Sequence, residues 1–374
     1  MSRLTRRWPT AAAGVALALL LAACGGGGDP GAEPGGEERP TPSSPAATSE
    51  APARDGWQVI RTWSRDEPPQ FGVYTADHVA YWDEHQDGNP AQVTRAFDRS
   101  GAVVATHRSH APAWYTQDVW LTAGHLVVED INDAARRVEL FVYDLAEGTR
   151  VPLPVQPSQP EVAAAEGRLA FISGTSREGM CRQVVDLTGS EPTTEEVGCA
   201  EPGAVLGDVE VAADGLAMSE VRAPETRSRC KELTVLTGGT ATEVDLARDC
   251  LGWSVAVGES AYAWDEVDPR SPDLGTARGF VHHDGEVVEL GPVSTDSIVA
   301  CGDGFYWEVQ AGRGPRIDGW RPGEGVTTIR PASMREGPTT LTCTEGRWLQ
   351  TRFDEVHGGE EELTFEVYDT AAGR

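Results

Sequence analysis

The chain has 374 residues, of which 59 are Asp or Glu and 31 are Lys or Arg, giving a formal charge of −28 at neutral pH. Such a surface repels nucleic acid and anionic lipid headgroups, so neither is an expected ligand. With 39% hydrophobic residues there is enough apolar material for a sizeable core, and the length admits one domain or two.

Residues 1–23 place Arg3, Arg6 and Arg7 ahead of an apolar run from Ala11 to Leu21. That run is too short to span a bilayer, so the segment reads as an export signal. It ends in Leu21-Ala22-Ala23-Cys24 followed by a glycine, which resembles the lipobox of bacterial lipoproteins. The resemblance implies that Cys24 is acylated on its sulfur, becomes the new N-terminus and anchors the protein to the membrane. Residues 24–55 are rich in Gly, Pro, Ser, Thr and Glu without large apolar side chains after Cys24, the composition of a disordered tether. A flexible chain of this length spans roughly 30 Å.

From 56 to 374 short apolar runs alternate with turns, and no long stretch has helical periodicity. The clearest unit lies between Pro160 and Cys199. There, Glu161 to Ala165, Arg168 to Ile172, Arg182 to Leu187 and Thr193 to Cys199 read as antiparallel strands, with turns at Ala165-Glu166-Gly167 and Thr188-Gly189-Ser190. The first of these turns recurs around Asp77, Gly124, Gly167, Gly215, Glu259, Gly304 and Gly346, at spacings of 42 to 48 residues. Four strands per unit with such a period predict an all-β domain over 56–374, a seven-bladed β-propeller. A lone four-stranded sheet cannot bury both faces, whereas a ring of them can. The seventh unit stops at Arg374 where a fourth strand should begin, and Trp57 to Trp63 precedes the first unit without a partner. The spacing therefore predicts that Trp57 to Trp63 completes blade seven and removes an unpaired edge.

Seven cysteines leave six beyond Cys24, an even number in a chain expected outside the cytoplasm. Cys181 and Cys199 are equidistant from Ser190, and Cys230 and Cys250 from Thr240, so each pair is predicted to face across a hairpin. Cys301 and Cys343 each stand three residues before a marker glycine and share a place on neighbouring first strands. Three disulfides are expected, and C-x-x-C metal spacing is absent.

His107 and His110 form an H-x-x-H pair with Asp118 nearby, but they follow the predicted strand Val103 to Thr106 in what reads as a loop. That is poor support for a metal. His282 and His283 precede Asp284-Gly285, where adjacent side chains face opposite ways. No G-x-S-x-G, phosphate loop or H-E-x-x-H occurs, so no cofactor and no metal is expected. Tyr81, Trp82, Trp264, Tyr306, Trp307 and Trp348 fall on second strands, where bulky rings serve as wedges between blades.

One recurrence is less ordinary. Just beyond the second strands stand Asp83 and Glu84, Glu129 and Asp130, Glu220, Asp265 and Glu266, Glu308, and Asp354 and Glu355. In a propeller the following loops emerge on one face, so these acids form a candidate ring for a cation or a basic partner. Oxygen donors suit calcium or magnesium, but the plainer reading is solubilising charge.

In period and hairpin pattern, residues 56–374 resemble TolB-like and WD-type propellers. No Trp-Asp dipeptide closes each third strand; Tyr143-Asp144 and Tyr368-Asp369 come nearest. The resemblance implies a binding platform. The expectation is thus a monomeric, lipid-anchored, non-enzymatic binding or scaffold module on the extracytoplasmic face of the cell membrane, engaging an envelope protein or ligand, with a basic partner as the candidate for the acidic face. The alternative is an envelope hydrolase or lyase at the mouth of the propeller channel, which buried and closely spaced carboxylates would favour.

Overall fold

The structure is a computed structural model that describes residues 56–64, 70–83, 92–110, 113–132, 134–160, 162–175, 179–200, 205–212, 215–221, 231–246, 252–267, 277–311, 314–331, 340–357 and 360–372. The expected signal, tether and lipid-anchor Cys24 lie outside these residues, as do Cys230 and Cys250.

Turn chemistry folds the repeats locally. Ala123-Gly124, Glu166-Gly167 and Glu345-Gly346 all have positive φ, the backbone of two-residue turns whose twist matches antiparallel strands. At Gly167 a Cβ would also lie 2.6 Å from Thr188 Cγ2, so only glycine fits there. Each such turn returns a first strand onto a second, and further hairpins add the third and fourth.

The described strands form seven antiparallel sheets of four, with no helix among the described residues. Six sheets take consecutive strands, within 70–108, 115–151, 162–199, 205–243, 252–293 and 299–330. The seventh takes Thr340–Thr344, Trp348–His357 and Glu360–Asp369, then Trp57–Ser64 from the other end of the chain. The fold is a seven-bladed β-propeller. Trp57 lies opposite Tyr368 and Trp63 opposite Leu363, so the ring closes as the sequence predicts. The second and third strands of blade seven run longer than the predicted Arg347 to Phe353 and Leu363 to Tyr368, because the polar stretches around Asp354 and Glu361 pair through their backbones without any apolar alternation.

The core is divided among the seams between blades. Buried apolar residues fall into seven clusters, and each joins one blade to the next. Trp82 fills the seam between blades one and two, Trp264 that between four and five, and Trp307 that between five and six. Tyr306 packs between blades six and seven, and Tyr81 between seven and one. Trp348 departs from the expected wedge role. It is only half-buried at the start of its strand, edge-on to Tyr74 at 5.3 Å, and its neighbour Leu349 takes the buried place.

Five of the seven fourth strands carry a β-bulge against the third strand. The extra residues are Val104, Val197, Leu290, Ile329 and Ile60. All are aliphatic, and each packs into the seam with the following blade. A bulge reverses the alternation of faces beyond it. In blade seven this decides ring closure: Trp57 and Trp63 are six apart and would share a face in a regular strand, yet Trp57 is buried against blade six and Trp63 against blade one.

Among the described residues, disulfides brace the ring at two places. Cys181–Cys199 links in-register partners on the third and fourth strands of blade three, with Cα atoms 4.0 Å apart. Cys301–Cys343 links the first strands of blades six and seven, Cα atoms 5.6 Å apart, as their shared position predicts. By restricting the unfolded chain, closing a loop of that size contributes about 4 kcal/mol.

Inserting an alanine between Arg61 and Thr62 keeps the bulge but sends one tryptophan to the wrong face, so the variant should lose about 3–5 kcal/mol, the scale of removing a buried tryptophan. Ile60→Ala, which keeps the register, should lose markedly less. Urea denaturation of both variants checks this, and equal losses would contradict it.

Candidate functional site

Glu84 excepted, the acids singled out from sequence sit within the second strands rather than beyond them. Asp83 ends His78–Asp83, Glu220 lies in Gly215–Val221 opposite Glu232, and Asp354 and Glu355 lie in Trp348–His357. Glu84 is outside the described residues. Glu129, Asp130, Asp265, Glu266 and Glu308 are all buried, each at most 6% exposed. This corrects the solvated-ring reading for these five. The strands continue through them, and since neighbouring blades cover both faces, consecutive residues such as Asp265 and Glu266 enter different seams.

Asp130 faces blade one. Its Oδ2 lies 2.9 Å from His107 Nε2, and Oδ1 accepts from Thr116 Oγ1 at 3.0 Å. His107 Nδ1 meets the Tyr143 hydroxyl at 3.0 Å, and its ring packs on Phe141 at 4.5 Å between centroids. Gln92 extends the network by accepting from the Thr116 amide through Oε1 and donating its own amide to Ser109 Oγ. His107 belongs to strand Val103–Arg108, which corrects the loop reading. His110 is exposed and 3.9 Å from Glu139, so the two histidines have separate partners. Asp118 lies on the first strand of blade two, opposite Glu129. Buried polar side chains are tolerable only when hydrogen bonds satisfy them, which Thr116 and Tyr143 complete here.

Asp265 faces the connection to blade six. Its Oδ1 accepts from the Ser254 amide at 2.6 Å and Ser254 Oγ at 2.9 Å, and Oδ2 accepts from the Asp296 amide at 2.9 Å. Complete burial pushes this carboxyl up to about 6, while the three hydrogen bonds pull it down. Glu266, on the other face, accepts from Trp264 Nε1 at 3.1 Å. Glu308 holds Gln310 through its carboxylate and Ser297 through its backbone.

These carboxylates do not converge. Among the described residues, the one group of three potential ligands within 4.8 Å is Cys181, Glu196 and Cys199, whose sulfurs are bonded to each other. Sequence reasoning missed a buried ion pair, Arg330 Nε to Glu366 Oε2 at 3.3 Å, which ties blade six to seven. Only the alternation of Glu366 with Phe365 and Val367 on a core strand could have pointed to it.

No protein-family model and no curated protein matches the chain. Solved structures do. The β-propeller domain of the Trilobed protease from Pyrococcus furiosus, reported to have an open velcro topology, superposes with TM-score 0.55 at 9% identity, covering 82% of this chain and 96% of that one. A prolyl endopeptidase matches at TM-score 0.55 and 11% identity over 78% of this chain and 46% of its own. Pyrococcus horikoshii acylaminoacyl peptidase matches at TM-score 0.53 and 10% identity over 80% of this chain and 51% of its own. The chain thus spans about half the length of these peptidases, and the likeness is one of fold. In this chain the ring is closed by Trp57–Ser64.

Two substitutions test the buried acids. Asp130→Ala leaves the buried His107 Nε2 without its partner and should destabilise by about 1–3 kcal/mol in chemical denaturation. Asp265 binds its proton more tightly folded than unfolded, so the stability it supports is full below about pH 4 and is lost as pH rises through about 6. Across that window the stability of wild type relative to Asp265→Asn should fall by an amount on the order of 3 kcal/mol. A pH-independent difference in melting would contradict the assignment.

Proposed function

We propose that the protein is a membrane-anchored extracytoplasmic propeller that acts as a non-enzymatic binding module of the bacterial cell envelope. The observation that carries this reading is the use made of the reactive side chains. His107, Asp130, Asp265, Glu266 and Glu308 are built into blade seams, where they hold backbone amides, hydroxyls and rings of the ring itself. Export is supported by the Cys181–Cys199 and Cys301–Cys343 disulfides, which suit an oxidising compartment, and by the charged and apolar pattern ending at Cys24.

A second reading, an envelope hydrolase or lyase, draws on Asp265, whose carboxyl near 6 lies in the range useful to a general acid. Its complete burial and three internal hydrogen bonds favour a structural task.

The anchor is tested by Cys24→Ser, which should move the protein from membranes into the medium; a variant that stays membrane-bound at wild-type levels would contradict lipidation. Crosslinked capture of the wild type from membranes should then recover a defined envelope partner, and recovery should persist in Asp265→Asn. Turnover of envelope peptides or glycans by purified protein, abolished in Asp265→Asn, would instead support the enzyme.

A further inference from the structure

One surface runs against the charge of the whole molecule. On the outer part of blade two, a groove of about 390 Å³ is lined by Arg136, Arg137 and Arg150 together with Glu139, Leu140 and Gln156. The volume falls within the range of small-molecule sites. Three guanidinium groups face one carboxylate here, in a chain whose formal charge is −28.

The floor of the groove is already satisfied: Gln156 accepts from the Leu140 amide through Oε1 at 2.8 Å. The walls are not. Exposed arginines elsewhere pair closely with carboxylates, as in Arg99 with Asp77 at 2.8 Å, Arg278 with Glu289 at 2.6 Å and Arg347 with Asp369 at 2.6 Å. Among the described residues Arg136 and Arg150 pair with no carboxylate, and Arg137 stands 3.8 Å from Glu139, beyond hydrogen-bond distance. Glu139 is drawn the other way by His110, 3.9 Å from it.

Aromatic rings hold two of these cations by their faces. The Arg150 guanidinium lies 4.5 Å above Phe141, and that of Arg137 lies 6.0 Å from Trp114. A guanidinium stacked on a ring keeps its in-plane N–H donors for a planar or tetrahedral oxyanion. Arg136 adds a third from a turn residue with φ of 50°, a left-handed backbone that glycine or asparagine adopts at lower cost.

We propose that this groove binds a multiply charged oxyanion ligand, bearing phosphate or carboxylate groups, through Arg136, Arg137 and Arg150. The acidic surroundings repel anions at long range, so occupancy depends on bidentate hydrogen bonds in the groove rather than on steering. Calorimetric titration of the full-length protein at low salt with pyrophosphate, and separately with citrate, reads this directly. The expected result is saturable binding of at least one anion, weakened about tenfold or more by Arg150→Gln and by Arg137→Gln, the loss of one charge-assisted hydrogen bond. Arg278→Gln, an exposed arginine on blade five, should leave binding unchanged, and preference between the two anions separates a phosphate ligand from a carboxylate one. Absence of saturable binding to both anions would overturn the proposal. So would equal weakening by Arg150→Gln and Arg278→Gln, which would reduce the effect to bulk charge.

Discussion

A blade of four strands has two apolar faces and no interior, and that constraint governs the whole molecule. Every buried aromatic is buried by a neighbouring blade: Trp264 by blade four, Trp307 by blade five, Trp63 by blade one. No blade is stable on its own surface, so the seams must form together and the last seam completes the first. That is why the strand from one end of the chain is lodged in the sheet at the other, and why Cys301–Cys343 reinforces the joint beside it.

The same constraint explains where charge can be hidden. With both faces of each sheet covered, a carboxylate near the end of a second strand has no solvent to turn to, and it persists only by becoming part of a seam. Asp130 does so by pairing with His107 and Asp265 by capping the amides of Ser254 and Asp296; Glu366, on a third strand, does likewise by holding Arg330. In each case the cost of desolvation is offset by hydrogen bonds that fix the position of one blade against another.

Much of this was legible in the sequence. The turn markers gave the period and hence the blade number, and the surplus strand Trp57 to Trp63 gave the closure. Symmetry about Ser190 gave one disulfide, and matching places before Gly304 and Gly346 gave another. Each of these rests on spacing, which a repeat preserves. What was illegible depends on which way a side chain turns. Glu129 and Asp130 look like solvated charge because two adjacent carboxylates near the end of a strand usually meet water, and the partners that bury them, such as His107, belong to other strands. The bulges at Val104, Val197, Leu290, Ile329 and Ile60 were equally hidden, since an extra aliphatic residue in a fourth strand leaves no mark in composition. Arg136 and Arg137 are separated from Arg150 by a hairpin and line one groove with it only in the folded blade.

The joint in blade seven also has a direction. Strand Trp57–Ser64 runs antiparallel to Glu360–Asp369, and Trp57 is its first residue, paired at the outer end of the ladder. A pull arriving along the chain from before Gly56 therefore reaches the pair of Trp57 with Tyr368 before any other pair of this ladder. The element that meets the load first is Trp57, whose ring is almost wholly buried between blades six and seven and whose indole Nε1 donates to the Ile329 carbonyl at 3.4 Å. The bolt of the ring thus sits where tension would enter, and the mechanical strength of the closed propeller rests first on a single indole.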